Sequence, residues 1–156
     1  PHGLQWPLVA KYFGNESLMA QNMLHVCMPK VFRLSEQYLI RAEARANQKN
    51  YSGASKDLSD LRRARFQGGN GSISVSAQNW LEIIEEERVR ELYMEGFRLQ
   101  DLKRWHKGFE RKPQEQSLTN GSSLKIEADD VRFVWPIPKH ELESPGSQIQ
   151  PNESNK

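Results

Sequence analysis

This sequence is poor in cysteine and in long apolar runs. Cys27 is the only cysteine in 156 residues, which excludes an internal disulfide framework and any zinc site built on several thiolates. Every apolar run falls well short of the ~20 residues that a membrane-spanning helix needs. The amino terminus has neither an initiator methionine nor a signal-peptide pattern. We therefore expect the chain to be a fragment of a longer protein, with any export signal or lipid anchor upstream of it.

Excess charge of one sign is also lacking. Lys and Arg number 22 against 20 Asp and Glu, so the net charge is +2 at pH 7, which does not by itself indicate a nucleic-acid partner. One basic cluster lies beside Trp105 and Phe109, at the end of a predicted helix. Cations there complement the helix dipole, so we predict a solvated face and no nucleic-acid binding. The cluster consists of Lys103, Arg104, His106, Lys107, Arg111 and Lys112.

Soft metal ligands are grouped near the amino terminus. Too few of them are expected in regular structure to fix a Cu(I) ion. The Gly-Gly-Asn-Gly stretch at 68–71 lacks the lysine and the following helix of a nucleotide-binding loop, so it is predicted to be a turn. We therefore expect no metal site and no cofactor. The soft ligands are Met19, Met23, His25, Cys27 and Met28.

Apolar spacing predicts a first helical hairpin. Over 31–48 apolar residues recur every four positions, and after Asn50 a second stripe leads toward 68–71. The short connection favours antiparallel packing, and its sequence resembles the turn of a tetratricopeptide hairpin. The first stripe is Leu34, Tyr38, Ala42 and Ala46, with Leu39 alongside, and the second is Tyr51, Ala54, Leu58 and Leu61.

A second pair of helices is predicted to follow. Ser76 can cap a third helix that runs to about Glu95, and a short fourth helix covers 97–107 and stops at Gly108. The third helix has its apolar side at Trp80, Leu81, Ile84 and Leu92, and the fourth places Leu102 and Trp105 on one face. The sequence thus predicts an all-α protein with tetratricopeptide-like hairpins in series.

The remaining stretches are predicted to be irregular or extended parts of one domain, 1–156. Residues 1–30 mix glycine and proline with apolar patches, and 109–130 is rich in Gln, Ser, Asn and Gly, which is typical of a long surface loop. Residues 131–156 form an extended tail containing Pro136 and Pro138. Its apolar residues alternate with others, at Val131, Phe133, Trp135 and Ile137.

The densest pattern of charge lies at 87–105. Helical spacing places Arg88, Glu91 and Glu95 on the same side as Ile84, and Ile84 and Leu92 indicate that this side is buried. A buried guanidinium must be paired, so we predict that Arg88 pairs with Glu91 or Glu95. Arg98 is predicted to pair with Asp101 in the same way.

Two carboxylates so placed allow two interpretations. Glu91 and Glu95 could act as the acid and base of a glycosidase, which requires two carboxyl groups with separated pKa values. Alternatively, they belong to an internal ion network with the arginines. Each acid has an arginine within reach, so we favour the network, made of Arg88, Glu91, Glu95, Arg98 and Asp101, and predict no catalytic residue.

The same segment closely resembles the signature of SusD/RagB proteins. Two further segments are similar to motifs of that family, namely 31–44 and Pro136-Ile137-Pro138 followed by Glu141. The resemblance covers 11–152 in matching order and spacing. The signature reads Glu87-Arg88-x-x-Glu91-Leu92-x-x-Glu95-Gly96-x-Arg98-x-x-Asp101-Leu102-x-Arg104-Trp105.

This resemblance implies a role in nutrient capture. Family members are longer, are lipid-anchored on the outer membrane of Bacteroidota facing outward, and hold starch-like or other oligosaccharides and nutrients over a TonB-dependent SusC-type transporter without cleaving them. The chain would be their carboxy-terminal domain and mainly scaffold. The alternative is a tetratricopeptide-like adaptor that contacts the transporter or another partner.

Exposed tryptophans would suit sugar binding, because an indole stacks on the apolar face of a pyranose. Trp6 and Trp80 are the candidates. Trp80 is alternatively part of the packed face of the third helix, and Trp6 of a packed tail. Trp105 and Trp135 are predicted to lie in the core.

Overall fold

Helices dominate the structure. The computed structural model of the protein describes residues 11–12, 14–23, 26–27, 30–66, 68, 71–111 and 124–155. The sheet within these ranges has two strands of two residues each, which confirms the predicted all-α class with tetratricopeptide-like hairpins. The helices are α1 (Glu16–Met19), α2 (Leu34–Asn47), α3 (Tyr51–Arg65), α4 (Trp80–Glu91), α5 (Arg98–Arg104) and α6 (Lys139–Leu142).

α2 and α3 form the predicted antiparallel hairpin. The chain turns at Lys49, whose φ of +63° ends α2, and Asn50 then caps α3 by accepting a hydrogen bond from the Gly53 amide at 3.0 Å. α4 packs against both helices of the hairpin. No helix within the described ranges is both long and apolar enough to cross a membrane.

The core lies between α2, α3 and α4. The stripe predicted on α3 is confirmed, but Leu34 on α2 is 74% exposed, so its predicted burial is wrong. A strict four-residue repeat drifts by about 40° per step around a helix of 3.6 residues per turn, so the face instead follows i, i+3, i+4 spacing. The buried core is Leu39, Ala42, Ala46, Ala54, Leu58, Leu61, Ile73, Val75, Ile84 and Leu92.

α4 is shorter than predicted at both ends. The Asn79 side chain accepts a hydrogen bond from the Ser76 amide at 2.7 Å, so a turn precedes the helix and Ser76 is not its cap. The helix ends at Glu91 and not near Glu95, because Met94 and Gly96 have φ values of +60° and +84° that no right-handed helix can contain.

α5 is also shorter than the predicted 97–107. Leu102 is buried and Trp105 packs against the core, as predicted. The helix ends at Arg104 because His106 adopts a φ of +53°, before Gly108 is reached.

The predicted loop over 109–130 begins and ends in regular structure. β1 (Phe109–Glu110) pairs antiparallel with β2 (Lys125–Ile126), although both strands come from a polar stretch with no strand pattern. Gly108 permits this approach, because a Cβ there would collide with the Ile126 carbonyl oxygen. The residues between 112 and 123 lie outside the described ranges.

Both chain ends contain short helical turns. α1 interrupts the segment predicted to be irregular, and the tail predicted to be extended contains α6 and two 3₁₀ helices, Val131–Phe133 and Glu153–Asn155. A 3₁₀ helix repeats every three residues, which breaks the two-residue alternation of the tail. As a result Phe133 is buried but Trp135 is 81% exposed, so the prediction of Trp135 in the core is wrong.

Candidate functional site

A buried ion pair joins α4 to α5. Arg88 Nε donates to Asp101 Oδ2 at 2.7 Å, and the two side chains are only 6% and 5% exposed. The other oxygen of Asp101 accepts from Arg104 Nε at 3.0 Å, and the Phe97 ring lies 5.8 Å from the Arg88 guanidinium. The predicted pairing of Arg88 with Glu91 or Glu95 is therefore wrong, because both carboxylates find partners on other elements.

Glu91 lies between two arginines from other parts of the fold. Arg33, which precedes α2, donates to Glu91 Oε1 at 2.8 Å, and Arg65, at the end of α3, donates to the same carboxylate at 2.7 and 2.9 Å. Burial alone would raise the pKa of Glu91, but the bonds from Arg65 and Arg33 outweigh it and lower the pKa to about 2. Glu91 thus links the start of α2 and the end of α3 to α4.

Glu95 shares Arg33 with Glu91. Arg33 donates to both Glu95 oxygens, at 2.6 and 3.1 Å, and Lys11 forms an ion pair with the same carboxylate. Burial opposes ionisation here too, yet the bonds from Lys11 and Arg33 lower the pKa of Glu95. Lys11 Nζ also donates to the backbone carbonyls of Glu91 and Tyr93, at 2.8 Å each. The turn after α4 is therefore held by cations from two distant segments.

Glu43 ties α2 to the end of α5. Trp105 Nε1 donates to Glu43 Oε1 at 2.9 Å, and Arg104 forms a two-pronged ion pair with the same carboxylate while lying 4.3 Å from the Trp105 ring. Burial would raise the pKa of Glu43, but the bonds from Arg104 and Trp105 lower it. Arg104 and Trp105, the last two residues of the signature, thus bind to Glu43 on α2.

Two further carboxylates on α3 and α4 are held in the same way. Asp57 is 1% exposed and accepts bonds from Arg41 at 2.7 and 3.1 Å and from Arg45 at 2.7 Å, which joins α3 to α2. Glu87 accepts from Arg62 Nε at 2.8 Å, which joins α4 to α3. The same arrangement therefore recurs in the chain: a carboxylate on one helix is neutralised by guanidinium groups from neighbouring helices.

The sequence matches a protein-family model, and this match identifies its family. The model of the SusD family matches residues 21–153, which includes the whole ion network except Lys11. The chain belongs to the SusD family. SusD-family proteins are nutrient-binding components associated with the outer membrane, and they are non-catalytic. No curated protein and no solved structure matches the chain.

The SusD signature residues lie close together, but they form different pairs from those that helical spacing predicted. Arg98 pairs with Glu85 at 2.7 Å and not with Asp101, because Asp101 is already occupied by Arg88 and Arg104. Sequence reasoning missed most partners of the network, which come from distant segments. The sequence held one indication of these partners, since Arg33 and Glu43 are charged residues within the first family motif, 31–44. The missed partners are Lys11, Arg33, Glu43, Arg65 and Glu85.

Two members of the basic cluster form ion pairs in this SusD-family chain, and two others make other contacts. Arg104 forms an ion pair with Glu43 and Lys107 forms one with Glu85, while His106 Nδ1 lies 2.8 Å from Asp129 Oδ1, within hydrogen-bond distance. Arg111 lies 5.6 Å from the Phe109 ring. Lys112 lies outside the described residues.

The other residues singled out by sequence are scattered. Trp80 is half-buried and packs against the core. Trp6, His25 and Met28 lie outside the described ranges. Within those ranges no three His, Cys, Asp or Glu side chains are arranged to hold a metal ion.

An apolar cavity of about 410 Å³ lies beside the Arg88–Asp101 pair. The turn after α4 supplies much of its wall, and several of its lining side chains are also exposed on the surface. These are Val89, Tyr93, Met94 and Leu99, with Leu92 and Phe97 deeper.

Proposed function

We propose that the protein is the carboxy-terminal portion of a glycan-binding lipoprotein that serves an outer-membrane uptake system. It captures an oligosaccharide or similar nutrient for a TonB-dependent SusC-type transporter, and a lipid anchor upstream of this chain holds it on the cell surface. This portion is mainly scaffold. The observation that carries the proposal is the SusD-family match over residues 21–153.

The charge states of the signature support a non-catalytic role. A glycosidase acid must hold its proton near neutral pH, which requires a raised pKa. The pKa of Glu91 is instead lowered to about 2, and that of Glu95 is lowered as well. Both carboxylates are ionised and bound by cations at neutral pH, so neither can donate a proton to a leaving group.

The positions of the same residues support a scaffold role. Asp101 joins α4 to α5, Glu91 joins α4 to the ends of the hairpin, and Glu43 joins α2 to α5. Breaking a buried pair costs about 3–5 kcal/mol because it strands the remaining charge. Such pairs fix the relative placement of helices and leave few of their polar atoms for a ligand.

Isothermal titration calorimetry tests this proposal. The full-length protein and this chain are titrated separately with soluble glycans at moderate salt. We expect binding by the full-length protein and none, or much weaker binding, by the chain alone. Equal affinity of the two would contradict the scaffold role, and no binding by the full-length protein would contradict glycan capture. Glu91→Gln in the full-length protein serves as the matched control and should keep its affinity.

The apolar cavity favours a second function, that of an adaptor that contacts the transporter or another protein. Met94 is 60% exposed at its edge and lies next to exposed Tyr93 and Val89, and exposed apolar clusters mark contact surfaces. The test is Met94→Lys in the full-length protein. Loss of co-purification with the SusC-type transporter, with glycan affinity unchanged, would support the adaptor. Retained co-purification would contradict contact at this cavity.

A further inference from the structure

The end of α4 departs from what its own sequence favours. Leu92, Met94 and Glu95 are residue types with high helix propensity, and Gly96 behind them is the type that most often follows the last turn of a helix. Local preference would therefore continue α4 to Glu95. The helix ends at Glu91 instead, and Met94 adopts a left-handed φ of +60°, which is costly for a residue with a Cβ.

Two residues near the amino terminus hold this turn from outside the helix. Lys11 Nζ donates to the backbone carbonyls of Glu91 and Tyr93, at 2.8 Å each. The Tyr12 hydroxyl donates to the Met94 carbonyl at 3.3 Å. We call Lys11 and Tyr12 the strap, and together they bind three backbone carbonyls at the end of α4.

The strap competes with continuation of the helix at the Glu91 carbonyl. In a longer α4 this oxygen would accept the amide of Glu95, four residues ahead. A carbonyl oxygen has two lone pairs, and here Lys11 Nζ and Arg33 Nη2 donate to it at 2.8 Å each. The Glu95 amide donates to the Leu92 carbonyl at 3.0 Å instead. Removing Lys11 alone would free one lone pair for the helical bond.

We propose that the strap is a conformational device that keeps the end of α4 unwound, and that α4 lengthens to Glu95 when the strap is released. Release adds helical hydrogen bonds and removes the left-handed backbone at Met94, while Gly96, already at a φ of +84°, caps the longer helix. The turn also lines the apolar cavity beside the Arg88–Asp101 pair, so the strap sets the shape of that cavity. This coupling exists whichever ligand the protein binds.

Hydrogen exchange of the full-length protein tests the strap, read at single amides by mass spectrometry with electron-transfer fragmentation. Lys11→Met removes the donor and keeps a side chain of similar length. The amides of Tyr93 and Met94 should then exchange about tenfold more slowly than in the wild type, because they enter a helix. A turn that only loosened would exchange faster. Lys56→Met is the matched control, since Lys56 pairs with Asp60 on α3 and should leave both rates unchanged.

A second substitution makes the result specific to the left-handed turn. Met94→Gly, added to Lys11→Met, supplies a residue that adopts positive φ freely and disfavours helix. Exchange at Tyr93 should therefore return to the fast rate of the wild type. Faster or unchanged exchange in Lys11→Met overturns the strap, and so does slow exchange that persists after Met94→Gly is added.

A milder variant decides the question if Lys11→Met fails to fold. Tyr12→Phe removes only the longer hydrogen bond, to the Met94 carbonyl. Exchange at Tyr93 and Met94 should slow in the same direction, by about twofold. Unchanged or faster exchange at both amides in this variant would show that the strap does not restrain the end of α4.

Discussion

The helical part of the chain buries an ion pair within its apolar core, whereas the carboxy-terminal tail leaves a large aromatic ring exposed. Between α2 and α5, the ion pair of Arg88 and Asp101 is almost fully buried, whereas in the tail the indole of Trp135 is 81% exposed. Charges become buried where other elements supply matching charges, and this aromatic ring stays exposed because no element among the described residues covers it. For Arg88, Asp101 and Trp135, the availability of partners matters more for burial than residue type does.

The largest expected effect is from Asp101→Ala in the helical part. Removing this carboxylate leaves Arg88 buried without a charged partner, so we expect the free energy of unfolding to fall by about 3–5 kcal/mol, measured by urea denaturation. Glu86→Ala is the control, because its pair with Arg90 is exposed and should contribute little. If both variants unfold at the same urea concentration, the buried pair does not hold the helices together.

The next effect is a loss of stability in acid that depends on Glu91. Its pKa is about 2 in the folded chain, against 4.5 for an ordinary glutamate. A lowered pKa means that the contribution, about 3 kcal/mol, is fully present above pH 4.5 and is lost as the pH falls toward 2.

Comparing Glu91→Gln with the wild type isolates that contribution, since other carboxylates titrate in both. The variant should be less stable at pH 7, and its stability should fall less steeply between pH 4.5 and 2 in urea titrations at each pH. Parallel pH profiles for the two proteins would show that Arg33 and Arg65 do not stabilise the charged form of Glu91.

A smaller and local effect is expected in the tail from Asn155→Ala. The substitution removes the two hydrogen bonds that the Asn155 side chain forms with the backbone amide and carbonyl of Ile137, and each contributes about 0.5–1.5 kcal/mol. Hydrogen exchange should speed up in 135–155 while α2 and α3 keep their protection, because local opening does not require global unfolding. Glu143→Gln, exposed in the same tail, is the control. Faster exchange throughout the core would mean that the tail and the helices unfold together.

The smallest effect is expected from Trp135→Ala. Because the ring is exposed, its loss should change the free energy of unfolding by less than about 0.5 kcal/mol. Trp105→Ala removes a ring that packs against the core and donates to Glu43, and it should cost about 3 kcal/mol. Thermal unfolding of the two variants checks this directly. Equal destabilisation would remove the contrast between the two regions.

Local patterns were sufficient to predict the helices but not their ends. The stripe on α3 follows from 3.6-residue periodicity, and Asn50 is a familiar cap. The end of α4 depends on the positive φ of Met94, a residue type that rarely adopts it, so the sequence carries no sign of it. The pairing of β1 with β2 depends on the close approach at Gly108, which local sequence also does not reveal.

The sequence predicted the signature residues of the site but neither their pairing nor their partners from distant segments. Helical spacing predicts partners three or four residues apart, and so suggested that Arg88 pairs with Glu91. The structure pairs Arg88 with Asp101 and brings Arg33 to Glu91 across 58 positions. Long-range pairs depend on how the helices pack, which periodicity does not specify. Trp135 was misassigned for a related reason, since a 3₁₀ helix breaks the alternation that predicted its burial.

The central claim is that the signature charges hold the fold and do not act on a ligand. Glu91→Gln in the full-length protein tests it most directly when urea denaturation and glycan affinity are measured on the same preparation. The account predicts a clear loss of stability at pH 7, with the affinity of the folded protein unchanged and no sugar cleaved by either protein. Unchanged stability together with lost affinity, or cleavage by the wild type that the variant lacks, would contradict it.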